Sequence, residues 1–182
     1  MRKPEKLEEL LNAAHHVVLR DGVARLTLDL VAKEAGVSKG AVLYYFPTKS
    51  ALIGEMLKTH LDCHRTEWMR EVEKQPQGPG RLTRGWLESI RRHTEMEGRG
   101  GAGMLAAVAN DPELLSLLRE KIGQWHRELE EDGLDPLRLQ LIHYAMDGIK
   151  FSELMGIDPP TGQGRDRLID FLLTLATPGT TL

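Results

Sequence analysis

Apolar residues recur at helical spacing through almost the whole chain. Leu7, Leu10, Leu11, Ala14 and Val17 share one side of a first helix, with Glu8, Glu9 and Arg20 on the other. Asp21-Gly22 stops it, because glycine tolerates the left-handed conformation after a last turn. Thr27 caps a short second helix, Leu28 to Ala35, which Gly36 breaks. Ser38 caps a third, Lys39 to about Phe46, and Pro47 ends it. Thr48 opens a long fourth helix that runs toward Glu73. Gly78-Pro79-Gly80 is a turn, followed by a helix from about Arg81 to Met96. The glycines from Gly98 to Gly103 follow no strand and read as a hinge or loop before a short helix, Met104 to Ala109. Asp111-Pro112 and Asp135-Pro136 each set a capping carboxylate before a proline at the first helical position. The first opens a helix carrying Leu114, Leu115, Leu118, Ile122, Trp125 and Leu129, closed by Gly133; the second lasts to Met155. Beyond the loop Asp158 to Gly162, a last helix spans about Arg165 to Ala176, and Thr177 to Leu182 reads as a frayed tail. No strand pattern of useful length and no repeat interrupts this, so an all-α fold of about nine helices is predicted.

The segment Thr27 to Lys49 is the most informative. Two short helices flank a tight turn at Gly36 and Val37. Ala32 is small where they would cross, and Val31, Ala35, Val37 and Val42 are placed to pack the pair together. That is the geometry of a helix-turn-helix, whose second helix enters the major groove and whose free helix N-terminus attracts phosphate.

Leu30-Val31-Ala32-Lys33-Glu34-Ala35-Gly36-Val37-Ser38-Lys39-Gly40-Ala41-Val42-Leu43-Tyr44-Tyr45-Phe46-Pro47-Thr48-Lys49-Ser50-Ala51-Leu52 resembles the signature of the TetR family of bacterial transcriptional regulators. The likeness covers the first fifty-odd residues, with caps, glycines, aromatics and the final lysine in register; beyond them it is one of helix count and length. It implies an N-terminal three-helix DNA-binding domain over residues 1–47 and a C-terminal effector-binding and dimerisation domain over 48–182. It further implies that Lys39, Gly40 and Tyr44 meet the groove, that Thr27, Tyr45 and Lys49 contact phosphates, and that Ser38 is with them at the DNA. Many members carry a histidine before the phenylalanine and a tyrosine two before that; here Tyr45 and Leu43 stand at those places. Leucine cannot donate to a phosphate oxygen, which leaves Tyr44 or Tyr45 to take that contact.

Charge changes the picture a little. The 182 residues carry a net charge of -3. Residues 1–50 hold eight Lys and Arg against six Asp and Glu, +2, which leaves −5 for the rest. A mildly basic head on an acidic body suits a DNA reader with a separate regulatory part. The single cysteine, Cys63, cannot form an internal disulfide. No apolar run approaches the roughly 20 residues that span a bilayer, and the charged N-terminus lacks a signal-peptide core, so a cytoplasmic setting without membrane partners is expected.

The helix from Pro136 to Met155 is apolar almost all round, as is the last helix with Leu168, Ile169, Phe171, Leu172, Leu173 and Leu175. A helix apolar on every side needs two partners, its own core and a second chain; the family resemblance points the same way, to a homodimer through a four-helix interface. Weighed against this is an ordinary core helix of a monomer. For the effector, His64, Met104, Trp125, Met146, Asp147 and Phe151 are the candidate lining, in which aromatic faces and a carboxylate would suit a flat cationic drug; plain core packing is the competing reading for each. His60 and His64, four apart, keep open a metal-responsive regulator, although an exposed or pocket-lining role fits them better and no metal site is assigned. An effector-independent DNA-binding protein is the other alternative. No nucleophile elbow, phosphate-binding loop or dinucleotide fingerprint occurs, so neither an enzyme nor a cofactor is expected. The expected activity is that of a repressor, held on a palindromic operator and released by a small molecule.

Overall fold

The computed structural model describes residues 3–92 and 98–179, with side chains for 5–92 and 103–179. Among the described residues there are nine α-helices and no strand: α1 (Lys3–Asp21), α2 (Leu28–Glu34), α3 (Lys39–Tyr45), α4 (Lys49–Glu73), α5 (Arg81–Arg92), α6 (Gly98–Ala109), α7 (Pro112–Glu130), α8 (Pro136–Met155) and α9 (Gly162–Leu175). A 3-10 turn, Val23–Arg25, lies between α1 and α2. The expected caps are in place. Thr27, Ser38 and Thr48 accept from the backbone N–H groups of Leu30, Ala41 and Ala51 at 3.2, 3.2 and 3.0 Å. Asp111 accepts from Glu113 and Leu114, and Asp135 from Leu137 and Arg138, so both prolines sit where a missing N–H costs nothing. The expected end of α5 near Met96 lies outside the described residues.

One expectation is overturned. Gly98 to Gly103 is not a hinge or loop: it forms the first half of α6. Glycine is a poor helix former, but tertiary contact overrides propensity. A Cβ on Gly103 would meet the Val23 side chain at 3.1 Å, so the small residue lets α6 lie close against the 3-10 turn.

The chain divides into two compact units, Met1–Leu61 with Arg99–Arg119, and Asp62–Gly98 with Glu120–Leu182. In the first, Leu10, Ala14, Val17, Leu26, Val31, Val42 and Leu52 are fully shielded from solvent. α1 packs on α2 and α2 on α3. Ser50 hydroxyl donates to the Asp111 carboxylate, joining the first turn of α4 to the cap of α7. That bond is the main reason the Asp111 pKa is pulled below its ordinary value.

In the second unit, Leu87, Ile90, Ile142, Met146, Ile149, Ile169, Leu172 and Leu175 form one core cluster from α5, α8 and α9. Trp68, Val72, Leu129 and Leu139 form a second. α5 crosses α4 so closely that a Cβ on Gly85 would lie 2.7 Å from the Val72 backbone. Buried Arg84 ties the unit together: its guanidinium donates to the carbonyls of Pro79 (2.9 Å), Ala176 (2.8 Å) and Pro76 (3.0 Å). Burial lowers its pKa, against the opposing pull of Asp132. Asp132 itself accepts from the backbone of Leu82 and Thr83 and from the Thr83 hydroxyl. Gly80, at φ 79°, passes under Ala176, whose carbonyl a Cβ would meet at 2.1 Å.

Arg84→Met removes the donor for three carbonyls. The variant should unfold with a loss of roughly 2–3 kcal/mol, the cost of leaving buried acceptors unpaired, measured by urea denaturation.

Candidate nucleic-acid interface

α3 has only seven residues, KGAVLYY, and its orientation is set by what it buries. Val42 is fully buried, and Phe46, just past its end, is 2% exposed. The opposite side is open. Lys39, Gly40, Leu43 and Tyr44 are exposed, Tyr44 at 71%. Residues 40, 43 and 44 share one face of a helix, with Val42 turned away from it. Tyr45 is half-buried and meets Tyr44 edge-on at 5.2 Å between ring centroids.

The frame around α3 is fastened by charge. Arg20 of α1 pairs with Asp21 and, at 2.8 Å, with Glu34 at the end of α2. Those hydrogen bonds, Asp21 first, raise the Arg20 pKa. The Lys39 ammonium pairs with Asp29 of α2 at 2.9 Å. Lys49 donates to the carbonyls of Val23 (2.9 Å) and Ala24 (3.2 Å). This lysine therefore holds the 3-10 turn against the start of α4, a structural duty that its place in the motif did not reveal. An ammonium has three donors, so one remains for a phosphate oxygen. Thr27 and Ser38 accept with their lone pairs at the caps, and each hydroxyl keeps its own hydrogen for an outside acceptor. All seven residues expected at DNA, Thr27, Ser38, Lys39, Gly40, Tyr44, Tyr45 and Lys49, thus fall within or beside α2, α3 and the start of α4.

Two family profiles match the chain. One, described as "Bacterial regulatory proteins, tetR family", covers residues 10–56. The other, "Tetracyclin repressor-like, C-terminal domain", covers residues 80–177, more than half of the sequence. The chain belongs to the TetR family. With that membership comes the coarse function, DNA-binding regulation of transcription rather than enzymatic catalysis. No curated protein sequence matches it. Among solved structures, a transcriptional regulator from Rhodococcus sp. Rha1 has 23% identity over 93% of this chain and 95% of its own, with a TM-score of 0.75. A TetR-family member from Streptomyces coelicolor A3 has 21% identity over 92% and 96%, with a TM-score of 0.67. The multidrug binding protein EbrR, complexed with malachite green, has 23% identity over 94% and 98%, with a TM-score of 0.64. At these identities the likeness is one of fold.

The residues expected at a TetR-type effector site are drawn from both units. Met104 belongs to the first unit, the others to the second. Met146 is wholly buried in the core of α5, α8 and α9. His64 and Trp125 are half-buried, and the Trp125 ring meets Trp68 edge-on at 6.0 Å. Asp147 and Phe151 are exposed on α8. Sequence reasoning missed the aromatic group beside them. His143 stacks on His126 at 4.5 Å and takes the edge of Trp86 at 5.2 Å. Lys150 stands over the other ring system of this group, 5.5 Å from the Trp86 centroid. The Nε2 atom of His143 is buried without a hydrogen-bond partner. The pairing of His126 on α7 with His143 on α8 joins positions 17 apart, which no local pattern reveals. Among the described residues no group of three or more His, Cys, Asp or Glu could hold a metal, and no helix is long and apolar enough to cross a membrane.

Burial, and next the neighbouring His126, lower the His143 pKa; Asp147 and Glu130 oppose them, and Lys150 adds to them. The folded state thus resists the proton that the unfolded chain accepts near pH 6.5. Stability from this histidine is present above that pH and is lost as pH falls through the window below it. The drop in Tm between pH 7.5 and 5.5 should shrink in His143→Gln. Gly40 offers a second test. A Cβ there would meet no closer atom than Ser38 Oγ at 3.9 Å, so nothing inside the protein requires glycine. Gly40→Ala should raise stability by about 0.5–1 kcal/mol, the usual helix-interior gain. It should lower affinity for operator DNA, because the added methyl stands on the open face of the helix, with exposed Leu43 and Tyr44. Thermal melting and anisotropy on one preparation separate the two effects.

Proposed function

We propose that this chain is a repressor that grips a palindromic operator as a homodimer and lets go when a small molecule binds its C-terminal part. Residues 1–47 are the reading head, with Thr27, Ser38, Lys39, Gly40, Tyr44, Tyr45 and Lys49 at the DNA; residues 48–182 bind effector and pair the subunits. The observation that carries the reading is α3: clamped on one side by Val42 and Phe46, open on the other, and carrying on its open face a glycine that nothing inside the protein requires.

Support for the dimer comes from α8. Leu137, Leu141, Tyr144, Phe151 and Met155 follow one another at helical spacing and are all exposed, Tyr144 at 73%, with Leu168 and Phe171 of α9 exposed as well. The opposite side of the same helices supplies Ile142, Met146, Ile149 and Ile169 to the core. An apolar stripe of this length calls for a cover, and an isologous interface between two copies provides it. Two heads on one axis then match two half-sites one helical turn apart.

For the effector, the fold neighbour EbrR is a multidrug binding protein seen with malachite green. The aromatic group Trp86, His126 and His143, with Glu130 and Asp147 near it, supports a flat aromatic ligand here, and one that carries positive charge would take the place of the Lys150 ammonium over the Trp86 ring. Signal passage to the head has a covalent basis: α4 and α7 each contribute to both units, and Ser50–Asp111 fastens them within the first. Effector binding that shifts α4 changes the head spacing and lowers operator affinity.

The test is anisotropy on duplexes from the promoter beside the protein's own gene, at two salt concentrations. Tight, palindrome-dependent binding that weakens steeply with salt is expected, followed by release on adding cationic dyes. Binding no tighter than to random DNA, with no sequence enriched by selection from a genomic library, overturns the reading. Tyr144→Asp combined with Phe151→Glu should give monomers by sedimentation and weaken operator binding at least about thirtyfold, the effect of losing one interface hot spot.

A further inference from the structure

The outward face of α3 is unusual in what it lacks. Major-groove recognition of guanine relies on arginine or lysine, and that of adenine on asparagine or glutamine, each through a bidentate pair. α3 contains no Arg, Asn, Gln, Asp or Glu. Its one cation, Lys39, sits at its first position and is held by Asp29 at 2.9 Å. Ser38 spends its oxygen on the cap at Ala41, which leaves its hydroxyl hydrogen as its one donor to the outside. What faces outward after Lys39 is Gly40, Leu43 and Tyr44. Leu43 is 40% exposed. A half-exposed leucine elsewhere on a protein needs no explanation. Here it lies one turn after Gly40, whose missing side chain clears the approach, on the one face of the helix that its own fold leaves open. The single major-groove feature that an aliphatic side chain can recognise is the C5-methyl group of thymine.

We propose that Leu43 reads a thymine in each operator half-site by packing on its C5-methyl group. The proposal rests on the regulator reading above and adds the base class that the recognition helix selects. Leu43 desolvates that methyl group, Tyr44 flanks it with its ring and hydroxyl, and Gly40 lets the helix backbone come close enough for both. A cytosine at the same place offers no methyl to cover, so discrimination comes from apolar contact rather than from hydrogen bonds.

Deoxyuridine differs from thymidine only in lacking that methyl, which makes a clean test. A duplex is first selected from a randomised pool with the wild-type protein, and each thymine is then replaced singly by deoxyuridine. At one thymine per half-site the wild type should lose affinity roughly fourfold, the scale of one buried methyl group. Leu43→Ala should bind the thymine and uracil duplexes alike, while Leu43→Met, which keeps an apolar contact, should retain the preference. Thermal melting of both variants shows that the head is folded. The proposal is overturned if every uracil substitution is neutral for the wild type, or if Leu43→Ala keeps the full penalty. Failure of the regulator reading shows earlier and separately, as a wild-type protein that selects no duplex and binds none in a salt-dependent way; it removes the proposal with it.

Discussion

A seven-residue helix cannot stand alone in water, because its nucleation cost exceeds what its few internal bonds return. α3 exists only because Val42 and Phe46 are pulled into the head and Ser38 caps its start. Everything that the head does follows from that constraint. The clamp lies on one side, so the other side is free, and it is rigidly aimed. Arg20 with Glu34 and Lys49 with the 3-10 turn fix the surrounding pieces at long sequence separation. The open face placed this way owes its orientation to groups on its far side, Val42 and Phe46 above all.

The second unit solves a different problem with one buried cation. Arg84 gathers the carbonyls of Pro76, Pro79 and Ala176, so the α4–α5 connection and the end of α9 meet at a single guanidinium. Its five donors in a planar fork suit three carbonyls from different directions better than a lysine would. With α9 anchored at its end, α8 and α9 present one side to the core and the other outward. The same short stretch of chain therefore carries a packed face and an open apolar one, and a change on either is felt by the other.

Much of this was legible in the sequence, and the reasons are local. Thr27, Ser38, Thr48, Asp111 and Asp135 announce helix starts because each satisfies N–H groups two or three residues away. The helix-turn-helix is equally local, within Thr27 to Lys49. The two faces of α8 could be read from its all-round apolar character, though not which face is which. What escaped was set at a distance. The Lys49 ammonium meets carbonyls 25 and 26 positions away, so a residue assigned to phosphate by its place in the motif also proves to be a strut. The His126–His143 stack depends on the pairing of α7 with α8. The glycines at the start of α6 look like a hinge because propensity is a statement about isolated chains, whereas the last of them, Gly103, lies against Val23, a neighbour eighty positions away.

That glycine-rich half-helix has a consequence of its own. Gly98, Gly100, Gly101 and Gly103 each hold helical backbone at about 1 kcal/mol less favourably than alanine would. Their order is on loan from the surroundings, and warming withdraws such loans before it melts a core. Heat should therefore reach α6 ahead of the rest of the first unit.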